Sequence, residues 1–195
     1  MNMKKRFSTE KKTDYYLIYT LAFGIIGLIL YLQFYLNGKS LIWSHDGVPQ
    51  HLNSLAYYGE YLRNILHSVF VEHKFEIPMW DMHIGYGSDI LTTLHYYVIG
   101  DPLTLLSVFV SPEKTEYLYA FLIFLRIYLA GIAFSRYCFY HRNSKQAVLL
   151  GSLIYIFAGW MIYAAMKHPY FANPMIYLPL ILLGIDKIYR KEKPY

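Results

Sequence analysis

A single cysteine, Cys138, stands in the whole chain, which excludes an internal disulfide framework and any multi-cysteine zinc or iron–sulfur site. Charge is scarce too: 16% of the 195 residues are Asp, Glu, Lys or Arg, against roughly 25% in an average soluble domain. No Gly-rich phosphate loop, nucleophile elbow or internal repeat is present. His45, His51, His67, His73, His83 and His95 lack the spacing of a metal motif. The net charge of +5 forms no continuous patch. Lys4, Lys5, Arg6, Lys11 and Lys12 crowd one end, and Lys187, Arg190, Lys191 and Lys193 the other, so no nucleic-acid partner is expected. What abounds is apolar surface, 56% hydrophobic and 19% aromatic, bunched into long runs. The natural solvent of such a chain is a lipid bilayer.

A transmembrane helix needs about 20 mostly apolar residues. Residues 15–36, 117–140 and 147–166 supply such runs, and 170–189 supplies a fourth that contains Pro174 and Pro179. The first is too long for a cleavable signal peptide, and no small-residue cleavage site follows it. Residues 94–111 are apolar but cut by Gly100-Asp101-Pro102. Charge counting decides their place. With four spans and a cytoplasmic N-terminus, the inner segments 1–14, 136–146 and 187–195 hold twelve of the eighteen Lys and Arg. A fifth span at 94–111 would leave seven inside against ten outside, contrary to the positive-inside rule. The expected fold is therefore an all-α, polytopic membrane helical bundle. It has a basic cytoplasmic tail (1–14), an outer loop (37–116), a cytoplasmic loop (141–146), a short outer loop (167–169) and a cytoplasmic end (190–195). Residues 94–111 are expected to lie in the outer interface or to re-enter from it.

The outer loop holds nine of the thirteen acidic residues and six of the eight histidines. A long connection this rich in ionisable groups is rarely passive. Within it, Pro49 suits a first helical position. Leu52, Leu55, Gly59, Leu62, Leu66 and Val69 then recur at a spacing of three and four, which predicts an amphipathic interfacial helix over about 49–71. Asp46 precedes that helix, either as its cap or as a catalytic carboxylate. Ile77-Pro78-Met79-Trp80-Asp81 and His83-Ile84-Gly85-Tyr86-Gly87 read as a structured loop, with Trp80 either a sugar-stacking ring or an interfacial anchor. Asp101-Pro102 reads as an N-cap and first-turn proline opening a short helix over 103–110. Arg126 falls near the centre of its span, where a cation needs a partner. That partner is either Asp101 or another loop acid, or a phosphate in a cavity. Lys167 and His168 stand at the outer boundary, where snorkelling alone would explain the lysine.

The order of these pieces resembles the start of the bacterial YfhO family of polytopic membrane proteins. The matching residues are Asp46-Gly47-Val48-Pro49-Gln50, Ile77-Pro78-Met79-Trp80, Gly85-Tyr86-Gly87, Tyr97 and Asp101-Pro102. Leu125-Arg126-Ile127-Tyr128-Leu129-Ala130-Gly131, Tyr155-Ile156-Phe157-Ala158-Gly159 and His168-Pro169-Tyr170-Phe171-Ala172-Asn173-Pro174 follow. The resemblance implies a glycosyltransferase of the GT-C type in the bacterial plasma membrane. Such an enzyme takes a sugar from a polyprenyl-phosphate donor and passes it, on the outer face, to an envelope polymer such as lipoteichoic acid. It implies a catalytic Asp in the first outer loop, a position that Asp46 matches as general base, with Asp81 and Asp101 as second candidates. Arg126, Lys167 and His168, or a divalent cation, would stabilise the departing phosphate, and Trp80, Tyr86, Gln50 and His83 would hold the sugar. Proteins of this family are several times longer, so the chain is expected to correspond to the N-terminal part of a GT-C fold. The rival expectation is a non-catalytic membrane module: a lipid-linked sugar flippase, or a transporter or assembly subunit.

Overall fold

Among the described residues of the computed structural model, three helices are long and apolar enough to cross a membrane: Asp14–Leu36, Pro112–Tyr140 and Pro169–Tyr189. A fourth crossing is made if the bent pair Lys145–Ile156 and Gly159–Lys167 is one span. The structure describes residues 9–193, with side chains from Asp14 onward, so Lys4, Lys5 and Arg6 of the basic tail lie outside it. In chain order come α1 (Thr9–Leu36), a wide π-helical turn (Gly47–Leu52), α2 (Asn53–Phe70), strands β1 (Trp80–Asp81) and β2 (Ser88–Asp89), and α3 (Ile90–Leu94). There follow 3-10 turns at Pro102–Phe109 and Pro112–Lys114, then α4 (Thr115–Tyr140), α5 (Lys145–Ile156), α6 (Gly159–Lys167), a 3-10 turn at Pro169–Ala172 and α7 (Asn173–Tyr189). The protein is an all-α polytopic bundle with one minimal hairpin. Two differences from expectation stand out. The run at 147–166 is two helices bent by 45° around Phe157-Ala158, and residues 77–89 contain a pair of two-residue antiparallel strands.

The chain divides into two compact units. The first comprises residues 1–40, 127–162 and 174–195. In α1 only 17% of the apolar window is buried, and Leu17, Ile18, Leu21, Ile25, Leu28 and Ile29 are exposed, as suits a lipid-facing helix. Its inward side is polar where it meets its neighbours. The Tyr15 hydroxyl lies 2.6 Å from Ser135 Oγ and 3.3 Å from Ser152 Oγ, and the two serines are 2.9 Å apart, so α1, α4 and α5 share one buried hydroxyl triangle. Tyr19 donates to the Tyr128 carbonyl at 2.9 Å and lies against Gly131, where any Cβ would collide with its ring. Small residues that allow close approach, with neutral hydroxyls as glue, are how helices associate without a hydrophobic driving force. Pro179 inside α7 has no N–H for the Met175 carbonyl four residues back. The Tyr155 hydroxyl donates to that carbonyl instead, at 3.1 Å.

The second unit comprises residues 41–126 and 163–173. Here α2 runs against the 3-10 turn Pro102–Phe109 so closely that a Cβ on Gly59 would stand 2.6 Å from the Ser107 carbonyl oxygen. One turn further on, Arg63 Nη1 donates to the carbonyls of Ser107 (3.0 Å) and Val110 (2.6 Å), capping the open C-terminal end of that turn with a cation. Asp101 opens the turn as the sequence predicts: its Oδ1 accepts from the Leu103 N–H at 3.0 Å, with Pro102 next. Leu55, Tyr58, Ile90, Leu94, Val98, Leu118, Tyr119 and Leu122 are buried in this unit.

Candidate functional site

Asp46 immediately precedes the π-helical turn, and its carboxylate makes no capping bond. The capping role is carried by its backbone carbonyl, which accepts from the N–H groups of Gln50 and His51, both at 3.2 Å. The side chain is therefore left to face His168, with Oδ2 3.6 Å from Nε2, within ion-pair reach and beyond a hydrogen bond. Both side chains are partly exposed, 30% for Asp46 and 22% for His168. On its other side, His168 Nδ1 lies 2.9 Å from Nε2 of the buried His51, with the Tyr96 hydroxyl at 3.4 Å. The turn makes this possible. A π turn places residues five apart on the same side, so His51 returns beneath Asp46. Pro169 at the start of the Pro169–Ala172 turn presents His168 from the other direction.

Burial, first, and then the neighbouring His168 lower the His51 pKa to about 4 against the pull of Asp46, so His51 is neutral at physiological pH. A neutral imidazole has one N–H. At 2.9 Å, one of His168 Nδ1 and His51 Nε2 donates and the other accepts. Asp46, His168 and His51 form a carboxylate–imidazole–imidazole row running from a partly exposed carboxylate to a buried, neutral imidazole. Around it, the Tyr97 hydroxyl donates to Gln50 Oε1 at 3.1 Å while its ring meets the His51 edge at 5.2 Å. Lys167 Nζ rests 5.5 Å from the centre of the Tyr163 ring.

Beneath His51, a cavity of about 20 Å³ is shared with Thr104, Tyr119 and Arg126, room for about one water and too little for a sugar. Arg126 is 4% exposed and Asp101 0%. Arg126 Nη2 meets Asp101 Oδ2 at 2.5 Å, and its Nε donates to Asn173 Oδ1 at 3.1 Å. Of the two partners the sequence left open for Arg126, the structure supplies the loop acid. Asp101, with one oxygen on Leu103 and the other on Arg126, has both oxygens engaged.

The hairpin forms a separate place in the same unit. Asp81 accepts from the Tyr57 hydroxyl (2.6 Å), the His83 N–H (2.8 Å) and His83 Nδ1 (2.8 Å). These bonds, the Tyr57 one above all, lower its pKa to about 2. Tyr57, Glu60, Tyr61, Trp80, Asp81 and His83 line an open cleft of about 600 Å³. Gly87, at φ +102°, lets the turn close against the Trp80 ring, whose Nε1 points to Met82 Sδ at 3.3 Å.

The profile of one family, bacterial membrane protein YfhO, matches residues 18–195. The chain belongs to the YfhO family. No curated protein and no solved structure matches it. Membership in the YfhO family, together with three to four apolar spans, makes this a multi-pass membrane protein. Its predicted site residues fall into three groups. Asp46, His168 and Gln50 gather around His51, and Lys167 adjoins His168 in the chain. Asp101 and Arg126 form a buried pair. Trp80, Asp81 and His83 line the hairpin cleft. Tyr86 stands apart, fully exposed at the hairpin tip. Among the described residues, no three His, Cys, Asp or Glu gather as a metal site. Sequence reasoning missed His51, Asn173 and Arg63. For His51 the signal was its five-residue distance from Asp46, which α-helical periodicity does not recognise as a neighbour.

Proposed function

We propose that this YfhO-family chain carries the base end of a membrane glycosyltransferase of the GT-C type. The reaction transfers a sugar from a polyprenyl phosphate to an envelope polymer such as lipoteichoic acid. It takes place on the outer face of the bacterial plasma membrane, with the N-terminus cytoplasmic. In this reading Asp46 accepts the proton of the acceptor hydroxyl as that oxygen attacks the anomeric carbon. The bond from the anomeric carbon to the phosphate oxygen breaks, and polyprenyl phosphate leaves with the electron pair. Lys167 and His168 meet the charge on the leaving phosphate. Arg126, already neutralised by Asp101, holds Asn173 and with it the segment bearing His168. The hairpin cleft suits a sugar unit. Trp80 offers a stacking face and His83 a polar edge, while Glu60 and Asp81, with no Lys or Arg among the lining residues, disfavour a phosphate there.

The observation that carries the reading is that the Asp46 carboxylate, released from capping its own helix, stands partly exposed against an imidazole with a buried second imidazole behind it. The test is the gene in its own chromosome carrying Asp46→Asn, with the sugar content of the envelope polymers measured by mass spectrometry and NMR. The substituent is expected to fall at least a hundredfold with membrane levels of the protein unchanged. Wild-type sugar content would refute the assignment and favour a non-catalytic membrane module.

A further inference from the structure

The cavity of about 20 Å³ beneath His51 has a mixed lining. His51, Thr104, Tyr119 and Arg126 bring polar groups to it, while Val98 and Leu122 are among the apolar residues that close it. All of them belong to the second unit. Tyr119 is 3% exposed, and its hydroxyl has no hydrogen-bond partner among the described residues. Leaving a buried hydroxyl unpaired is costly, so native structures rarely do it. Space for one water, walled by several polar groups, is where a buried water becomes part of a fold.

Donor counting fixes how such a water must point. Arg126 spends Nε on Asn173 and Nη2 on Asp101, which leaves Nη1, a group that can only donate. The Thr104 hydroxyl proton is directed at the Val98 and Asp101 carbonyls, both 2.7 Å from Oγ1, so toward the cavity Thr104 can only accept. A water that accepts from Arg126 and donates to Thr104 keeps one lone pair and one proton for Tyr119 and His51. Tyr119 has no other acceptor for its proton, so its O–H takes the lone pair. The remaining water proton falls to His51 Nδ1, because Nε2 already lies 2.9 Å from His168. Neutral His51 then carries its single N–H on Nε2 and donates it to His168 Nδ1. An accepting Nδ1 also suits the Tyr96 hydroxyl, 3.4 Å away. His168 is left with its proton on Nε2, the atom that faces Asp46.

We propose that Tyr119 is a positioning residue which, through one buried water, sets the tautomers of His51 and His168 and so turns an N–H toward the Asp46 carboxylate. The tautomers follow from hydrogen bonding alone, whereas their bearing on transfer rests on the reading of Asp46 as the base. The test is NMR of the full-length protein in phosphatidylcholine nanodiscs at neutral pH, with isotopically labelled histidine and the His51 signals identified by their loss in His51→Gln. The wild type is expected to favour the proton on His51 Nε2 over Nδ1 by about tenfold or more. Tyr119→Phe keeps the ring and removes the hydroxyl, which frees the water to accept from Nδ1. The two His51 tautomers should then come within about threefold of each other. Val98→Ile pushes a methylene into the cavity, displaces the water and should have the same effect with Tyr119 in place. In a strain carrying Tyr119→Phe, the sugar content of the envelope polymers should fall several-fold. A predominant Nδ1–H tautomer in the wild type, or an unmoved ratio in either folded variant, would overturn the proposal. A shifted ratio with wild-type sugar content would uphold the tautomer assignment and count against Asp46 as the base.

Discussion

The two units satisfy their buried polar atoms by different means. In the first, the buried links are neutral: Tyr15, Ser135 and Ser152 share hydroxyls, and Tyr155 covers the carbonyl that Pro179 leaves open. In the second, beside the neutral Thr104 hydroxyl on the Val98 carbonyl, charged and imidazole groups take part: Arg126 on Asp101, Arg63 on two or three carbonyls, and Asp46, His168 and His51 in a row. Neutral links tolerate the bilayer core and are individually weak. Charged links are costly to bury and costly to break, and they leave groups that can move protons. That difference teaches where chemistry should be looked for.

The sharpest way to break the contrast is to remove one charged group that the second unit does not need for folding. Asp46→Asn should cut sugar transfer by about 10²- to 10⁴-fold while circular dichroism and unfolding stay at wild type. A collapse of the fold would show the carboxylate to be structural after all. Next in size, Arg126→Met strands the Asp101 carboxylate without its cation, and unfolding stability should fall by about 3–5 kcal/mol. Adding Asp101→Asn should restore most of it. If the single variant is as stable as wild type, the buried pair is not an anchor.

A third effect is set by pH. His51 takes a proton near pH 4 in the folded protein and near 6.5 when unfolded, so as pH falls the unfolded chain binds the proton first. Its contribution is complete above pH 6.5, shrinks between 6.5 and 4, and is gone below 4. At about 1.4 kcal/mol per unit the loss is about 3.5 kcal/mol across the window, read as a slope in unfolding free energy that His51→Gln should flatten. The smallest effect belongs to the first unit. Tyr155→Phe and Ser152→Ala should each cost about 1 kcal/mol. A loss as large as that of Arg126→Met would erase the distinction between the units.

The sequence revealed the bundle because lipid imposes a simple rule: long apolar runs with charge kept to their ends. The same rule made Arg126 conspicuous as a cation in need of a partner, with Asp101 among the loop acids that could supply it. Local chemistry was legible where it is written in neighbours, as in the Asp101-Pro102 start of a 3-10 turn. What escaped is contact across distance. His168 lies 117 residues from His51, and no periodicity relates them. Arg63 carries no mark in the sequence of the carbonyls it caps, which lie more than forty residues away. Asp46 was ambiguous for a subtler reason. A residue before a helix is ordinarily a cap, and only the absence of that bond frees the side chain.

The π-helical turn at Gly47–Leu52 makes the site sensitive to counting as well as to chemistry. Deleting one residue from this turn would let it rewind as an ordinary α-helix, with each downstream side chain swung by about 100° around the axis. Every amino-acid type in the cluster could then be kept and the alignment of Asp46, His168 and His51 still be lost. The address of the base is held by the length of a six-residue segment, and a frame-preserving codon deletion would erase it without touching a single polar group.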